Sequence, residues 1–141
     1  AVDTEVTVKC RVGVDQQNPD VTLPKFLEHI SNAGVTRVII HARKAILSGL
    51  SPKQNRNVPP LNYELVYKMK ELFPNLHLSL NGGIQSIQQA KSHLENGIYG
   101  VMIGRAAYQK PGEVLIDVDK YIFNDETSEL TEKDVVKQMI P

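Results

Sequence analysis

Leu76-His77-Leu78-Ser79-Leu80-Asn81-Gly82-Gly83-Ile84 is the stretch that decides the fold. Apolar and polar residues alternate up to Leu80, which is the period of a strand buried on one face, and the run stops at a glycine pair. Ser86 with Gln89 three residues later then reads as a capping box for a helix carrying Ile87, Ala90 and Leu94 and closed by Gly97. One unit further on, Gly100-Val101-Met102-Ile103-Gly104-Arg105 repeats the design. Each is a strand-to-helix corner whose glycines leave backbone N–H groups bare at a helix start, and Arg105 adds a fork of donors suited to a dianion. Two consecutive corners sharing one anion is the arrangement of the last two units of a (β/α)8 barrel, so the stretch predicts a phosphate site on an α/β fold.

Working outward, a first strand runs through Val6-Thr7-Val8-Lys9 and ends at Arg11-Val12-Gly13. Thr22 is expected to cap a helix with Pro24 in its first turn, Leu23, Phe26, Leu27 and Ile30 as its apolar stripe and Gly34 as its stop. The second strand is Val38 to His41. Arg43 to Pro60 is a long polar connection containing Gly49, Pro52, Pro59 and Pro60, and a loop of that length is usually functional or mobile. Asn62 then caps a helix with Leu65, Val66, Met69, Leu72 and Phe73 on one face, halted by Pro74-Asn75. The third strand is Leu76 to Leu80 and the fourth Val101 to Ile103. Glu126 to Met139, with Thr131 and Asp134 as its cap, reads as one more helix.

Four strands joined by helical crossovers make a parallel sheet flanked by helices. A complete (β/α)8 TIM barrel takes about 250 residues. With 141 residues, the expectation is a partial barrel of about four C-terminal β/α units. Because such a half would leave strand edges and an apolar interior face open, the chain is expected to be a fragment or to pair with another half, either the missing N-terminal half-barrel or a second chain.

A content of 41% apolar residues and a formal charge of zero describe an ordinary globular chain with no bulk field drawing it to nucleic acid or membrane. The single cysteine, Cys10, excludes an intramolecular disulfide framework and fits a reducing compartment. No apolar run approaches the about 18 residues of a membrane span, and the first residues lack the pattern of a signal peptide. A cytoplasmic location or an organelle matrix is expected, with no membrane partner. No group of residues has metal-ligand spacing, and neither Ser48 nor Ser51 has a base partner that spacing identifies.

Alternation along the strands sorts the polar residues by face. Leu76, Leu78 and Leu80 go under the helices, leaving His77, Ser79 and Asn81 on the inner face. Lys9 and His41 fall on the inner face of their own strands. Lys9, His41 and Asn81 all sit at C-terminal strand ends, where barrel enzymes do their chemistry. His77 is expected to be a satisfied interior histidine below Asn81. His29 and His93, within helix patterns, are expected to face solvent. Cys10 lies on the face opposite Lys9 and reads as a small buried residue. The basic stretch Arg43, Lys44, Lys53 and Arg56 reads either as a solvated loop or as a surface for phosphate backbone.

At Val38-Ile39-Ile40-His41-Ala42-Arg43-Lys44, then Leu50-Ser51-Pro52-Lys53-Gln54-Asn55-Arg56 and Pro59-Pro60-Leu61, the sequence resembles the tRNA-dihydrouridine synthases, the A-type subfamily most closely. The likeness continues through Val8-Lys9-Cys10-Arg11-Val12-Gly13, Asn81-Gly82-Gly83-Ile84 and Gly104-Arg105-Ala106-Ala107-Tyr108. The resemblance implies a flavin-containing barrel followed by a helical domain, in which NADPH and FMN serve the reduction of uridine in the tRNA D-loop. It implies that Lys9 lies near N1 and O2 of the flavin ring, that His41 contacts the ring, and that Asn81, Gly82, Gly83, Gly104 and Arg105 hold the FMN phosphate. Arg43, Lys53 and Arg56 would face tRNA. On this reading residues 1–115 are the C-terminal half of the FMN-binding barrel, and residues 116–141 its end and the start of the helical domain. The family's proton-donating cysteine lies on a loop of the first half of the barrel, and Cys10 does not match it. Two alternatives use the same corners: another phosphate-binding TIM-barrel enzyme, or a non-catalytic module that binds flavin or tRNA.

Overall fold

The computed structural model describes residues 4–125 and 131–140. The chain divides into two compact units, one of residues 1–83 with 93–102 and one of residues 84–92 with 103–141. The first holds a four-stranded parallel sheet of β1 (Val8–Arg11), β2 (Arg37–His41), β3 (His77–Asn81) and β4 (Gly100–Met102), paired in chain order. Such a sheet, interleaved with helices, is four β/α units of a TIM barrel.

The alternation expected for β3 is present. Leu76, Leu78 and Leu80 are buried while His77, Ser79 and Asn81 are half-buried. Val38 and Ile40 on β2, with Leu23 and Leu27 of α1 (Pro19–Asn32) and Leu65, Val66 and Met69 of α2 (Tyr63–Leu72), complete the core of this unit. Truncating a side chain such as Leu78, whose exposure is 0%, removes buried apolar surface and opens a cavity in a close-packed layer.

Two helix starts show how local chemistry sets the boundaries. Asn62 caps α2 as expected, its side chain accepting from the Leu65 N–H. For α1 the expectation of a start at Thr22 is corrected: the helix begins at Pro19, where the Asn18 side chain accepts from the Asp20 N–H. Pro19 supplies the fixed φ of a first helical residue, while Thr22 turns its hydroxyl back to donate to the Asn18 carbonyl at 2.9 Å. Pro24 therefore lies inside the helix, and Phe26 of the expected stripe is exposed.

Arg43 to Pro60 is not a loose excursion. Ala45 pairs with Val14 in an isolated parallel bridge, and Asn55 holds both the Ile46 N–H and the Ile46 carbonyl through its side-chain amide. A 3-10 turn at Gln54–Arg56 lies within it.

In the second unit the described elements are the residues of α3 (Ile87–Glu95) up to Ser92, then α4 (Arg105–Gln109), α5 (Pro111–Leu115), α6 (Val118–Ile122) and α7 (Glu132–Met139). The box expected at α3 is half present. Ser86 Oγ accepts from Gln89 N–H, but the Gln89 side chain accepts from Gln85 rather than from Ser86. At α7 the Thr131–Asp134 box is complete, and these hydrogen bonds hold the Asp134 carboxyl below its ordinary range. The first five residues of the expected helix, 126–130, lie outside the described residues. Among the described residues no helix is long and apolar enough to cross a membrane.

Candidate functional site

The strand register fixes what can meet at the C-terminal end of the sheet. Arg11, His41, Asn81 and Met102 are level across β1 to β4, and Lys9, Ile39, Ser79 and Gly100 form the layer beneath. Residues level in a parallel sheet point to the same face, so Lys9, Arg11, His41 and Asn81 share one side of it. Lys9 Nζ donates to Asn81 Oδ1 at 3.1 Å, reaching across β2, and Asn81 Nδ2 donates to the Met102 carbonyl at 2.7 Å. One amide thus ties three strand ends together and orients an ammonium group among them. The expectation that Lys9, His41 and Asn81 gather at this rim agrees with their placement.

Beside them lies the first glycine corner. Gly82 has φ +111°, and a Cβ there would lie 2.6 Å from His41 Cδ2 and 2.8 Å from Nε2. Gly83 has φ +73°, and its Cβ would meet Leu61 Cδ1 at 2.5 Å. Both conformation and space exclude side chains at the two positions, Gly82 being buried and Gly83 half-buried. Tyr63, the first residue of α2, donates its hydroxyl to the Gly82 carbonyl at 2.6 Å. Burial raises the Tyr63 pKa, with Arg43 opposing and Tyr67 adding to the rise, so the hydroxyl stays a donor at neutral pH.

His93 corrects an expectation. It is buried rather than solvent-facing, its ring edge-on to Tyr63 with centroids 4.7 Å apart and its Nδ1 sharing a hydrogen bond with Tyr67 Oη at 2.6 Å. Burial lowers its pKa below the ordinary 6.5. A depressed histidine pKa means that the unfolded chain binds the proton more readily, so stability present above about pH 6.5 is lost as pH falls towards the folded pKa. Urea unfolding at pH 7.5 and 5.5 is expected to show a larger acid loss in the wild type than in His93→Phe. Equal losses would place the acid sensitivity elsewhere.

The second corner, in the other unit, differs in kind. Gly104 precedes α4 with φ −111°, and a Cβ there would meet nothing within 4 Å. Its carbonyl accepts from the Tyr108 N–H at 3.1 Å, and Arg105 is exposed. Neither conformation nor packing demands glycine at Gly104, unlike Gly82.

Arg11 is a residue the sequence reading passed over, although strand alternation puts it on the Lys9 face. Its Nη1 donates to the carbonyls of Lys44 at 2.8 Å and Asn55 at 2.9 Å, clamping the 43–60 segment near both ends. Its pKa is lowered by burial first, then by the positive charges of Arg43 and Arg56, which marks three guanidinium groups near one another. Arg43 Nη1 donates to the carbonyls of Asn57 and Pro59, while Lys53 and Arg56 are exposed. Tyr63 was also passed over, and His93 was placed in solvent. A tyrosine after a helix cap carries no signal, but His93 three residues after Ala90 falls on the buried stripe by helical period.

The remaining polar residues stand apart from the rim. Cys10 is half-buried, and burial pushes its thiol up to about 11 against the opposing charge of Lys9. His29 is exposed, with Nδ1 at 2.6 Å from the Lys25 carbonyl. His77 is not satisfied as expected: its ring stacks on Tyr99 at 4.1 Å and its buried Nδ1 makes no hydrogen bond.

The family model described as "Dihydrouridine synthase (Dus)" matches residues 1–141. The tRNA-dihydrouridine(20/20a) synthase of Salmonella typhimurium strain LT2 is 49% identical over 141 residues, covering 99% of this chain and 42% of that protein. The like-named proteins of Escherichia coli strain K12 and Vibrio cholerae are 48% and 46% identical over 99% of this chain, covering 40% and 42% of their own lengths. The chain therefore spans about two fifths of these curated relatives, and it is with a match running through both glycine corners and the Lys9 strand that it belongs to the dihydrouridine synthase family.

Proposed function

We propose that this chain supplies the flavin-holding and tRNA-facing side of a tRNA-dihydrouridine synthase, an oxidoreductase that reduces uridine in the tRNA D-loop to 5,6-dihydrouridine with NADPH. The observation that carries the reading is the Lys9–Asn81 pair beside the Gly82-Gly83 backbone, in a chain 48% to 49% identical to tRNA-dihydrouridine(20/20a) synthases.

The residues present fit FMN. At both glycines His41, Leu61 and Tyr63 already stand where a Cβ would go, so this corner can only be glycine, and a corner without side chains of its own suits the close approach of a phosphate to backbone N–H groups. On this reading Asn81, Gly82 and Gly83 hold the phosphate, and Gly104 and Arg105 are phosphate donors in their own right. His41 contacts the ring. The flavin, when bound, supplies hydride exchange with NADPH and with the uracil ring. Lys9 would present a fixed ammonium to negative charge on the N1 and O2 side of the ring, and Asn81 holds that ammonium in place without neutralising it.

Arg43, Lys53 and Arg56 are assigned to tRNA. Cations on a loop beside the flavin would take phosphates of a strand whose target uridine has been turned out of the stack. Arg11 keeps the loop in register by holding it from the sheet side. Residues 1–115 then serve as the barrel half, 116–141 begin the helical domain, and the cytoplasm is the compartment.

Deleting the gene that encodes this chain is expected to remove dihydrouridine from at least one D-loop position, read by mass spectrometry of tRNA from the deletion strain. Unchanged dihydrouridine at every D-loop position would overturn the assignment.

A further inference from the structure

We propose that Tyr63 is a positioning residue that sets the plane of the Gly82–Gly83 peptide, and through it the direction in which the Gly83 N–H is offered to a phosphate. This deepens the flavin reading above and rests on it.

A peptide between two glycines is the least constrained in any chain, because neither neighbour has a Cβ to resist rotation of its plane. Gly82 and Gly83 both have positive φ, and neither has a side chain of its own to fix the plane between them. A donor that must present one N–H to an anion cannot be left to do so. Tyr63 removes the freedom: its hydroxyl holds the Gly82 carbonyl at 2.6 Å. In a trans peptide the C=O and the following N–H point in opposite directions, so anchoring the carbonyl at Tyr63 aims the Gly83 N–H away from it. Among the described residues, no acceptor takes that N–H.

The tyrosine is itself held. It is the first residue of α2, fixed by the Asn62 cap, and its ring lies edge-on against buried His93. The Gly83 Cβ position lies 2.8 Å from Tyr63 Oη, so the hydroxyl also fills the space a side chain there would need. Its raised pKa keeps the proton on the oxygen, and a phenolate could not donate to a carbonyl. A hydroxyl serving only to satisfy a buried carbonyl would have no bearing on which ligand binds. Aiming an N–H at a phosphate would.

The test compares FMN with riboflavin, which lacks the phosphate, on the natural full-length protein, with binding read by quenching of flavin fluorescence. Tyr63→Phe keeps the ring and its contact with His93. It is expected to weaken FMN about five- to tenfold, the size of one hydrogen bond, while riboflavin changes less than about twofold. Tyr67→Phe removes a hydroxyl from the same cluster without touching Gly82, and is expected to leave the FMN to riboflavin ratio unchanged. A fall in both ligands together, or in neither, would overturn the positioning role. A wild-type protein that binds no flavin would instead overturn the cofactor reading on which the role rests.

Discussion

The 141-residue polypeptide, supplied with FMN, NADPH and unmodified tRNA, is expected to form dihydrouridine at least about 10²-fold more slowly than a full-length synthase. Reduction of uracil needs a proton delivered to the carbon beside the one that accepts hydride, and loss of a general acid typically costs about 10² to 10⁴ in rate. The chain has one cysteine, and it is unsuited to the task. Cys10 lies on the face opposite Lys9, is half-buried, and holds its proton up to a pKa of about 11, which is a poor match for proton delivery near neutrality. On the flavin reading proposed above, Lys9, His41 and the Gly82 corner would line one side of the cofactor with an ammonium and an imidazole, neither assigned to the uracil carbon. Mass spectrometry of the tRNA after incubation gives the answer. Turnover close to that of a full-length synthase would mean that an acid within these residues suffices, and the cysteine argument would fall.

Gly82→Val is expected to cost roughly 2 to 6 kcal/mol of folding stability, in addition to any loss of flavin. Two effects add. A non-glycine residue held at φ +111° is strained by about 1 to 3 kcal/mol. Its Cβ would also stand 2.6 Å from the ring of buried His41, and displacing a packed ring costs about another 1 to 3 kcal/mol. Gly34→Val separates the two, because Gly34 has φ +91° with nothing within 4 Å of its Cβ position and carries only the strain. Urea denaturation of both variants should therefore show Gly82→Val losing more than Gly34→Val, with unchanged slopes. Equal losses would mean that His41 yields freely and that the close approach at the corner is not a constraint.

How far the sequence disclosed this arrangement depended on whether the cause was local. The leucines at Leu76, Leu78 and Leu80 encode a face by period alone, and the face is where they put it. Asn62 encodes a cap because its side chain needs only the next turn of its own helix. Asn18-Pro19 and Thr22-Leu23-Pro24 are nearly equivalent as helix starts, and sequence cannot choose between them. The choice falls to the earlier because Thr22 has its own use, donating to the Asn18 carbonyl. The site shows the same division. Strand alternation was enough to gather Lys9, His41 and Asn81. The clamp of Arg11 on the carbonyls of Lys44 and Asn55 joins residues 33 and 44 positions apart, and nothing in either segment announces the other. The Tyr63–His93–Tyr67 cluster likewise spans 26 to 30 positions and exists only once α2 and the end of α3 are in place.

The pairing of β1 with β2, β2 with β3 and β3 with β4 follows the order of synthesis. A ribosome adding about 5 to 20 residues each second releases β2, β3 and β4 each after the earlier strand it pairs with has already emerged. The rim residues accumulate on the same schedule: the Arg11 clamp can close once Asn55 is out, whereas the Lys9–Asn81 contact must wait for β3. The topology therefore permits vectorial assembly, in which the loop assigned to tRNA is set before the corner assigned to phosphate.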